Sequence, residues 1–168
     1  MNPREKSVCF TGHRPEKICE PFSENAPISL DVRRQLHQRI LQAVDDGYTT
    51  FLCGMAQGVD LWAGEIVLSL QESFHRLNLI AVLPYSISIK NWPLPWRNRY
   101  QQILKFCNET VIVCPEYRRD CFHLRNRYMV EHANRLIGVW REGSSGGTQY
   151  TIKYAKEQGL ELDLILLP

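Results

Sequence analysis

Short apolar runs alternate along the chain with longer segments whose apolar residues recur at helical spacing. The runs show no regular alternation of apolar and polar residues, which is typical of strands buried on both faces of a parallel sheet. They predict strands at 7–11, 50–54, 78–84, 109–114, 136–140 and 162–167. The helical spacing predicts helices at 29–46, 60–74, 97–106, 121–134 and 148–158. We therefore expect an α/β fold, a Rossmann-like three-layer sandwich with a mostly parallel central sheet.

Two segments fit neither pattern and are predicted to be irregular. The first is a polar loop over residues 13–27. The second covers residues 90–96, where Pro93 and Pro95 are expected to prevent a regular element. No internal repeat, low-complexity tract or linker divides the chain, so we assign residues 1–168 to one domain.

The composition excludes global disorder and predicts a cytosolic protein. Hydrophobic residues make up 44% of the 168 residues and charged residues 23%, which is enough apolar material for a buried core. No apolar run approaches the roughly 18 to 20 residues that a bilayer span needs, and the N-terminal residues show no signal peptide. We expect no membrane partner.

The charge balance bears on the choice of partner. The chain carries 20 Lys and Arg against 18 Asp and Glu, a formal charge of +2, whereas dedicated duplex-DNA binders usually have a larger basic excess. Fourteen of the basic residues are Arg, which grips phosphate or carboxylate with two parallel hydrogen bonds. The skew towards Arg favours an anionic ligand, although most of these arginines are expected to pair with Glu on solvated helix faces.

Six cysteines suggest neither a disulfide framework nor a metal site. Cytosolic thiols stay reduced, and the sequence contains no C-x-x-C pair. Cys9, Cys53 and Cys114 lie in apolar runs, where cysteine acts as a small core residue. No metal and no other cofactor is predicted.

Three unusual segments follow predicted strands, at residues 11–15, 54–60 and 143–148. The carboxyl ends of parallel strands meet at one edge of a sheet, where ligands bind. Glycines at a strand-to-helix junction let backbone N–H groups approach a phosphate, and the helix N-terminus adds positive charge. Arg14 in the first segment could reach over an anion, and Asp60 either caps its helix or accepts hydrogen bonds from sugar hydroxyls. Together the segments predict a phosphate site.

Two further features leave alternatives open. Arg127 could pair with a phosphate, or it could be a surface residue that pairs with Glu131 one helical turn later. The aromatic segment 92–100 could close over a ligand and stack on a base, or it could pack onto the domain or a second subunit.

These motifs carry a family resemblance. Segments 11–15, 54–63, 125–130 and 146–148 occur in this order in the YpsA-like family of the SLOG superfamily, and the resemblance covers nearly the whole chain. The superfamily groups DNA-processing protein A (Smf/DprA) with the LOG, or "lysine decarboxylase-like", phosphoribohydrolases. The resemblance implies a Rossmann-like fold that binds a nucleotide or nucleotide-derived ligand in a bacterial cell.

The sequence departs from the LOG pattern at the residue that carries catalysis. Aligning Gly147 and Thr148 with the LOG Gly-Thr-x-x-Glu motif puts Tyr150 or Thr151 where the catalytic Glu would stand. Asp60 and Glu65 are the motif-linked carboxylates that could substitute, and Arg127 could fill the position of the catalytic Arg. Because the hydrolysis needs a carboxylate, we favour a binding protein over an enzyme; the enzyme alternative is a hydrolase that resembles nucleoside-monophosphate phosphoribohydrolases.

We therefore predict a cytosolic sensor or regulatory domain that binds a nucleotide-like small molecule, such as ADP-ribose or a nucleoside monophosphate. A homo-oligomer is expected from the architecture. Single-stranded DNA binding of the DprA type is a further alternative, but the near-neutral charge counts against it, and nucleic acid is not favoured as a partner. The predicted ligand-binding residues are Thr11, Gly12, His13, Arg14, Gly54, Met55, Ala56, Gly58, Asp60, Arg127, Gly146, Gly147 and Thr148.

Overall fold

The predicted strands form a single sheet in which all neighbours run parallel. A computed structural model describes residues 3–168 and contains six strands in that range. They are β1 (Ser7–Gly12), β2 (Thr50–Cys53), β3 (Asn78–Leu83), β4 (Glu109–Ile112), β5 (Arg135–Trp140) and β6 (Glu161–Leu166). The helices are α1 (Pro15–Ile18), α2 (Pro27–Asp45), α3 (Val59–Gln71), α4 (Leu94–Phe106), α5 (Cys121–Glu131) and α6 (Gly147–Glu157), and a 3₁₀ turn (Pro3–Lys6) precedes β1. The Rossmann-like α/β fold is confirmed.

The strand order creates a switch point beside the first strand. The sheet runs β4-β3-β2-β1-β5-β6, so the chain adds strands on one side of β1 and then returns to add β5 and β6 on the other. Cys9 of β1 pairs in register with Leu52 of β2 and with Leu136 of β5. Connections leave β1 and β5 in opposite directions, which opens a crevice at their carboxyl ends.

Two layers of helices bury the two faces of the sheet. Helices α2, α3 and α4 cover one face, with Phe51 and Trp62 in the larger apolar cluster. Helices α5 and α6 cover the other, with Met129 and Leu136 in a smaller cluster. Because successive strand residues point to opposite faces, the continuous apolar runs of the sequence supply both clusters.

The prediction of irregular structure around the prolines is wrong at two places. Helix α1 begins at Pro15 inside the predicted loop, and α4 begins at Leu94, with Pro95 in its first turn. The first turn of a helix leaves its N–H groups without intrahelical partners, so proline costs nothing there and its fixed φ favours the helix.

The middle of the aromatic segment packs into the fold. Trp96 is buried, with ring centroids 5.8 Å from Trp62 and 5.9 Å from Phe22. Arg99 lies over the Trp96 ring and donates to Glu24, with its Nε 3.1 Å from Oε1 of Glu65. These residues hold the loop before α2 against α3 and α4, so they are structural.

All six cysteines are free thiols, and Cys9, Cys53, Cys114 and Cys121 are buried. Burial raises the pKa of the Cys9 and Cys53 thiols far above the ordinary range, so both stay protonated. Between residues 3 and 168, none of the helices combines the length and apolarity that a bilayer crossing requires.

Candidate functional site

A cavity of about 220 Å³ lies at the carboxyl edge of the sheet, at the switch point between β1 and β5. Its walls come from the segment after β1, the loop after β2, one face of α5 and the first turn of α6. Residues far apart in sequence meet here because parallel strands bring all their carboxyl ends to the same edge.

The structure brings together most of the residues that the sequence predicts. The predicted residues that line this cavity are Thr11, Gly12, His13, Arg14, Ala56, Asp60, Gly147 and Thr148. Gly54 and Met55 line a smaller cavity beside it, whereas Gly58, Gly146 and Arg127 line neither. The loops after β2 and β5 therefore converge, but they contribute to the site in different ways.

Two glycines in these loops serve close packing. A Cβ on Gly12 would lie 2.5 Å from Cβ and Cγ2 of Val59, so the glycine lets the first turn of α3 rest directly on β1. Gly58 has φ +95°, and a Cβ there would lie 2.9 Å from the carbonyl oxygen of His13. Gly12 is thus needed for helix α3 to approach the sheet, and Gly58 for the loop after β2 to approach the segment after β1, independently of any ligand.

The loop after β2 presents a carboxylate to the cavity. Oδ2 of Asp60 accepts a hydrogen bond from the backbone N–H of Ala56 at 3.2 Å, so that amide is not available to a phosphate. Asp60 is only 7% exposed, and burial raises the pKa of its carboxyl group against the opposing effect of Arg125. The expectation that both glycine loops offer free amides is thus corrected. In the loop after β2 the Ala56 N–H is already bound to Asp60, and the group that this loop presents to the cavity is the Asp60 carboxylate.

Arg125 supplies a buried positive charge beside this carboxylate. It is 6% exposed, donates to the carbonyl oxygen of Gly54, and its Nε donates to Oδ1 of Asn126 at 2.8 Å. A Cβ on Gly54 would lie 2.8 Å from Oδ2 of Asp60 and 3.0 Å from the guanidinium of Arg125, so the two charges face each other across this glycine. Burial lowers the pKa of Arg125, and the nearby Asp60 opposes that shift.

The prediction that Arg127 lies at the ligand site is not met. Its guanidinium is 3.7 Å from Glu131 and 3.4 Å from the hydroxyl of Tyr154, on the exposed side of α5. Two residues along a helix correspond to a rotation of about 200°, so Arg125 and Arg127 cannot face the same cavity. Of the two interpretations of Arg127, the structure agrees with the second, a surface residue that pairs with Glu131.

A sequence signal for Arg125 was available. Cys121, Arg125 and Met129 are spaced four residues apart and form the buried stripe of α5. An arginine between two apolar residues of one stripe faces inward. Phe122, Asn126 and Lys17 also line the cavity, and no pattern in the sequence distinguishes them.

The other predicted carboxylate, Glu65, lies away from the cavity and pairs with Arg99. Tyr150 is exposed, and the Thr151 hydroxyl donates to the carbonyl oxygen of Gly147 within α6. Asp60 is therefore the motif-linked carboxylate at the cavity. Within residues 3–168, no three His, Cys, Asp or Glu side chains are grouped to hold a metal ion.

His13 joins the segment after β1 to the loop before α6. Its Nε2 accepts a hydrogen bond from the backbone N–H of Arg141 at 3.0 Å and lies 3.1 Å from the hydroxyl of Ser144. A backbone N–H can only donate, so Nε2 is unprotonated and the imidazole is neutral. Burial lowers the pKa of His13, and the charges of Lys17 and Arg141 lower it further.

Because this hydrogen bond requires a neutral imidazole, we expect the stability of the protein to depend on pH. The unfolded state, with a His pKa near 6.5, binds the proton more readily than the folded state, so acidification favours unfolding. The contribution of His13 is complete above 6.5 and is lost as the pH falls through its lowered pKa. We expect urea unfolding of His13→Gln, which keeps an acceptor but cannot titrate, to show a smaller loss of stability between about pH 7 and 5. An equal loss in both proteins would contradict this role of His13.

The cavity lining includes two exposed cations, the exposed carboxylate of Glu16 and a helix N-terminus. The Arg14 and Lys17 side chains form no hydrogen bond or ion pair to residues 3–168. Helix α6 begins at Gly147 after an N-cap glycine with no side-chain cap, and a methyl group on Gly146 would lie 3.5 Å from the Lys17 ammonium. Arg14, Lys17, Arg125 and the first N–H groups of α6 surround one volume, an arrangement that suits a phosphate group.

Comparisons with known proteins agree on one family. The model of the YspA SLOG family (YpsA) matches residues 8–165. The UPF0398 protein of Bacillus cereus strain B4264 is 28% identical over 156 residues, which cover 92% of this chain and 84% of the relative. A UPF0398 protein of Halalkalibacterium halodurans is 24% identical over 155 residues, which cover 91% of this chain and 82% of the relative.

Among solved structures, DNA processing protein A from Helicobacter pylori has a similar fold. The TM-score is 0.60 at 18% sequence identity, and the match covers 94% of this chain but 64% of that one. The structure of that protein was described for its single-stranded DNA binding mode. This finding contradicts the expectation, based on overall charge, that nucleic acid is not favoured as a partner.

Proposed function

Because the chain belongs to the YspA SLOG family, we propose that its cavity at the switch point binds a phosphorylated, nucleotide-derived ligand. The observation that carries this proposal is the convergence of Arg14, Lys17 and Arg125 on the first turn of α6 around one cavity. The role that follows is that of a binding or sensing domain, which responds to the ligand through the loops that surround it.

Each group has a distinct part in the proposed complex. Phosphate oxygens accept hydrogen bonds from Arg14, Lys17 and the backbone N–H groups of Gly147 and Thr148, while buried Arg125 supplies a fixed charge behind them. The carboxylate of Asp60 accepts hydrogen bonds from sugar hydroxyls, since it faces the same cavity. His13 acts through the Arg141–Ser144 loop, which it holds in place before α6.

Arg14→Ala is expected to weaken ligand binding without changing the stability of the fold. Loss of a charged hydrogen-bond donor at a phosphate weakens affinity about 10- to 100-fold. Stability should stay unchanged, since the Arg14 side chain is exposed and forms no bond to residues 3–168. Titration calorimetry with ADP-ribose and the nucleoside monophosphates measures the first effect, and thermal unfolding measures the second.

The matched control is Arg34→Ala, since Arg34 is an exposed arginine on α2 that pairs with Asp31 away from the cavity. It removes the same charge and should leave affinity at the wild-type value. Wild-type protein that gives no heat and no thermal stabilisation with any of these ligands would refute the proposed function.

A second candidate is single-stranded DNA binding, favoured by the fold shared with Helicobacter pylori DNA processing protein A. Fluorescence anisotropy of a labelled oligothymidylate tests it, with an affinity that should fall steeply as salt increases. If the strand enters the cavity, Arg14→Ala weakens its binding and a mononucleotide displaces it. No anisotropy change at low salt would reject this candidate.

A further inference from the structure

A second cavity adjoins the first and has a more apolar lining. Its volume is about 70 Å³, and it shares Arg14, Ala56, Phe122 and Arg125 with the phosphate cavity. Beyond these shared residues its lining is mostly apolar or aromatic, and includes Met55, Leu83, Ile87, Trp92 and Tyr100. We name it the aromatic cavity.

Three separate elements contribute rings to the aromatic cavity. Trp92 comes from the segment before α4, Tyr100 from α4 and Phe122 from α5. The Trp92 and Tyr100 rings meet edge to face with their centroids 5.3 Å apart. Ring edges and faces arranged in this way suit a flat, delocalised group.

Two residues of this lining carry a polar group that has no hydrogen-bond partner within residues 3–168. Neither the Tyr100 hydroxyl nor Nε1 of Trp92 forms a hydrogen bond to residues 3–168, although Tyr100 is only 4% exposed. Burial raises the pKa of Tyr100 to about 12, so its hydroxyl is protonated at neutral pH and able to donate. An aliphatic ligand would offer these donors no acceptor, whereas a heterocycle with ring nitrogens or carbonyl groups can accept from them.

The backbone on the near side of the cavity is held in an unusual conformation. Met55 has φ +63°, a left-handed conformation that is rare for residues other than glycine, and its side chain is 2% exposed. This turn places Met55 in the aromatic cavity and the next residue, Ala56, on the wall that both cavities share.

We propose that the aromatic cavity is a nucleobase subsite, so that the ligand is a nucleoside phosphate with its base against Trp92, Tyr100 and Phe122. The inference rests on the proposed function, since the phosphate occupies the adjoining cationic cavity. The sugar then lies at the shared wall, between Arg14 and Ala56 and near the Asp60 carboxylate. The site consequently selects nucleoside phosphates over sugar phosphates that have no base.

The experiment compares ligands with and without a base on the whole chain. Titration calorimetry with AMP, GMP, CMP and UMP is set against ribose 5-phosphate. We expect at least one nucleotide to bind about tenfold more tightly than ribose 5-phosphate, as aromatic stacking on a base typically provides.

Two variants locate the difference at the aromatic cavity. Trp92→Ala should weaken nucleotide binding about tenfold, and Tyr100→Phe, which keeps the ring, about threefold to tenfold. Both should leave ribose 5-phosphate binding unchanged. The matched control is Tyr117→Phe, because Tyr117 is 66% exposed and lines neither cavity.

The outcomes separate the two proposals. If ribose 5-phosphate binds as tightly as every nucleotide, or if both Trp92→Ala and Tyr100→Phe leave nucleotide affinity unchanged, the base subsite is wrong and the phosphate site stands. If neither class of ligand binds the wild type, the proposed function fails and this inference fails with it. Thermal unfolding checks that Trp92→Ala remains folded, and Tyr100→Phe provides the test should it not.

Discussion

Replacing Arg125 by alanine is expected to destabilise the protein by about 3 to 5 kcal/mol and to abolish nucleotide binding. Arg125 is 6% exposed and bonds to the carbonyl oxygen of Gly54 and to Asn126. Its removal leaves the buried carboxylate of Asp60 without a nearby buried cation and leaves the Gly54 carbonyl without this donor. Urea unfolding monitored by circular dichroism measures the stability, and calorimetry with the nucleoside monophosphates measures the binding.

Arg127→Ala is the matched control for this experiment. The two arginines stand two residues apart on α5, but Arg127 is exposed, and within residues 3–168 its side chain bonds only to Glu131 and the half-buried Tyr154. We expect its removal to leave both stability and affinity at the wild-type values. An Arg127 variant that lost as much affinity as the Arg125 variant would contradict the placement of the two side chains.

A double-mutant cycle tests the cause of the destabilisation. Asp60→Asn removes the buried negative charge and keeps an oxygen that can accept from the N–H of Ala56. If the cost of Arg125→Ala comes largely from an uncompensated carboxylate, it should be smaller in the Asp60→Asn background. Strict additivity of the two changes would show that the loss does not depend on the Asp60 charge and comes instead from the lost packing and the lost hydrogen bonds to Gly54 and Asn126.

Gly12→Ala is expected to cost about 1 to 3 kcal/mol of stability through overpacking. The new Cβ would lie 2.5 to 2.6 Å from three carbons of Val59, far inside van der Waals contact. The first turn of α3 must then move away from β1 and carry Asp60 with it, so nucleotide affinity should fall as well. Thermal or urea unfolding measures the first effect, and calorimetry the second.

Gly147→Ala provides the contrast, because a Cβ at Gly147 meets nothing within 4 Å and its φ is not positive. Alanine is favoured over glycine within a helix, and this preference is weaker at a first helical residue such as Gly147, so stability should be equal or slightly higher. Equal stability of the Gly12 and Gly147 variants would contradict the assignment of Gly12 to helix packing.

Much of the architecture could be predicted from the pattern of apolar positions. Every predicted strand is present, and its bounds differ from the observed bounds by a few residues at most, as at 109–114 against Glu109–Ile112. Strands buried on both faces need apolar residues at nearly every position, and that requirement is visible in a sequence. The two segments missed were helix starts at Pro15 and Leu94, where proline was interpreted only as a breaker.

The approximate position of the site was also predictable, because the topology of parallel strands brings the segments after β1, β2 and β5 to one edge. The roles of the individual residues at this edge were harder to predict from the sequence. The glycines after β2 predict free amides in that loop, but the N–H of Ala56 is bound to Asp60. The sequence pattern does not decide the role of the aromatic segment, and the structure divides it: Trp96 packs between helices, while Trp92 and Tyr100 line a cavity.

By itself the sequence determined the α/β class, the buried strands and the edge of the sheet at which the glycine loops meet, since these follow from local hydrophobic patterns and chain connectivity. Only the tertiary structure decided that Arg125 rather than Arg127 faces the cavity, and that the cationic and aromatic cavities adjoin. The physical reason is that a side chain's surroundings depend on how each helix is rotated against the sheet. That rotation is set by packing among residues distant in sequence, such as Val59 on Gly12 and Arg125 on Gly54.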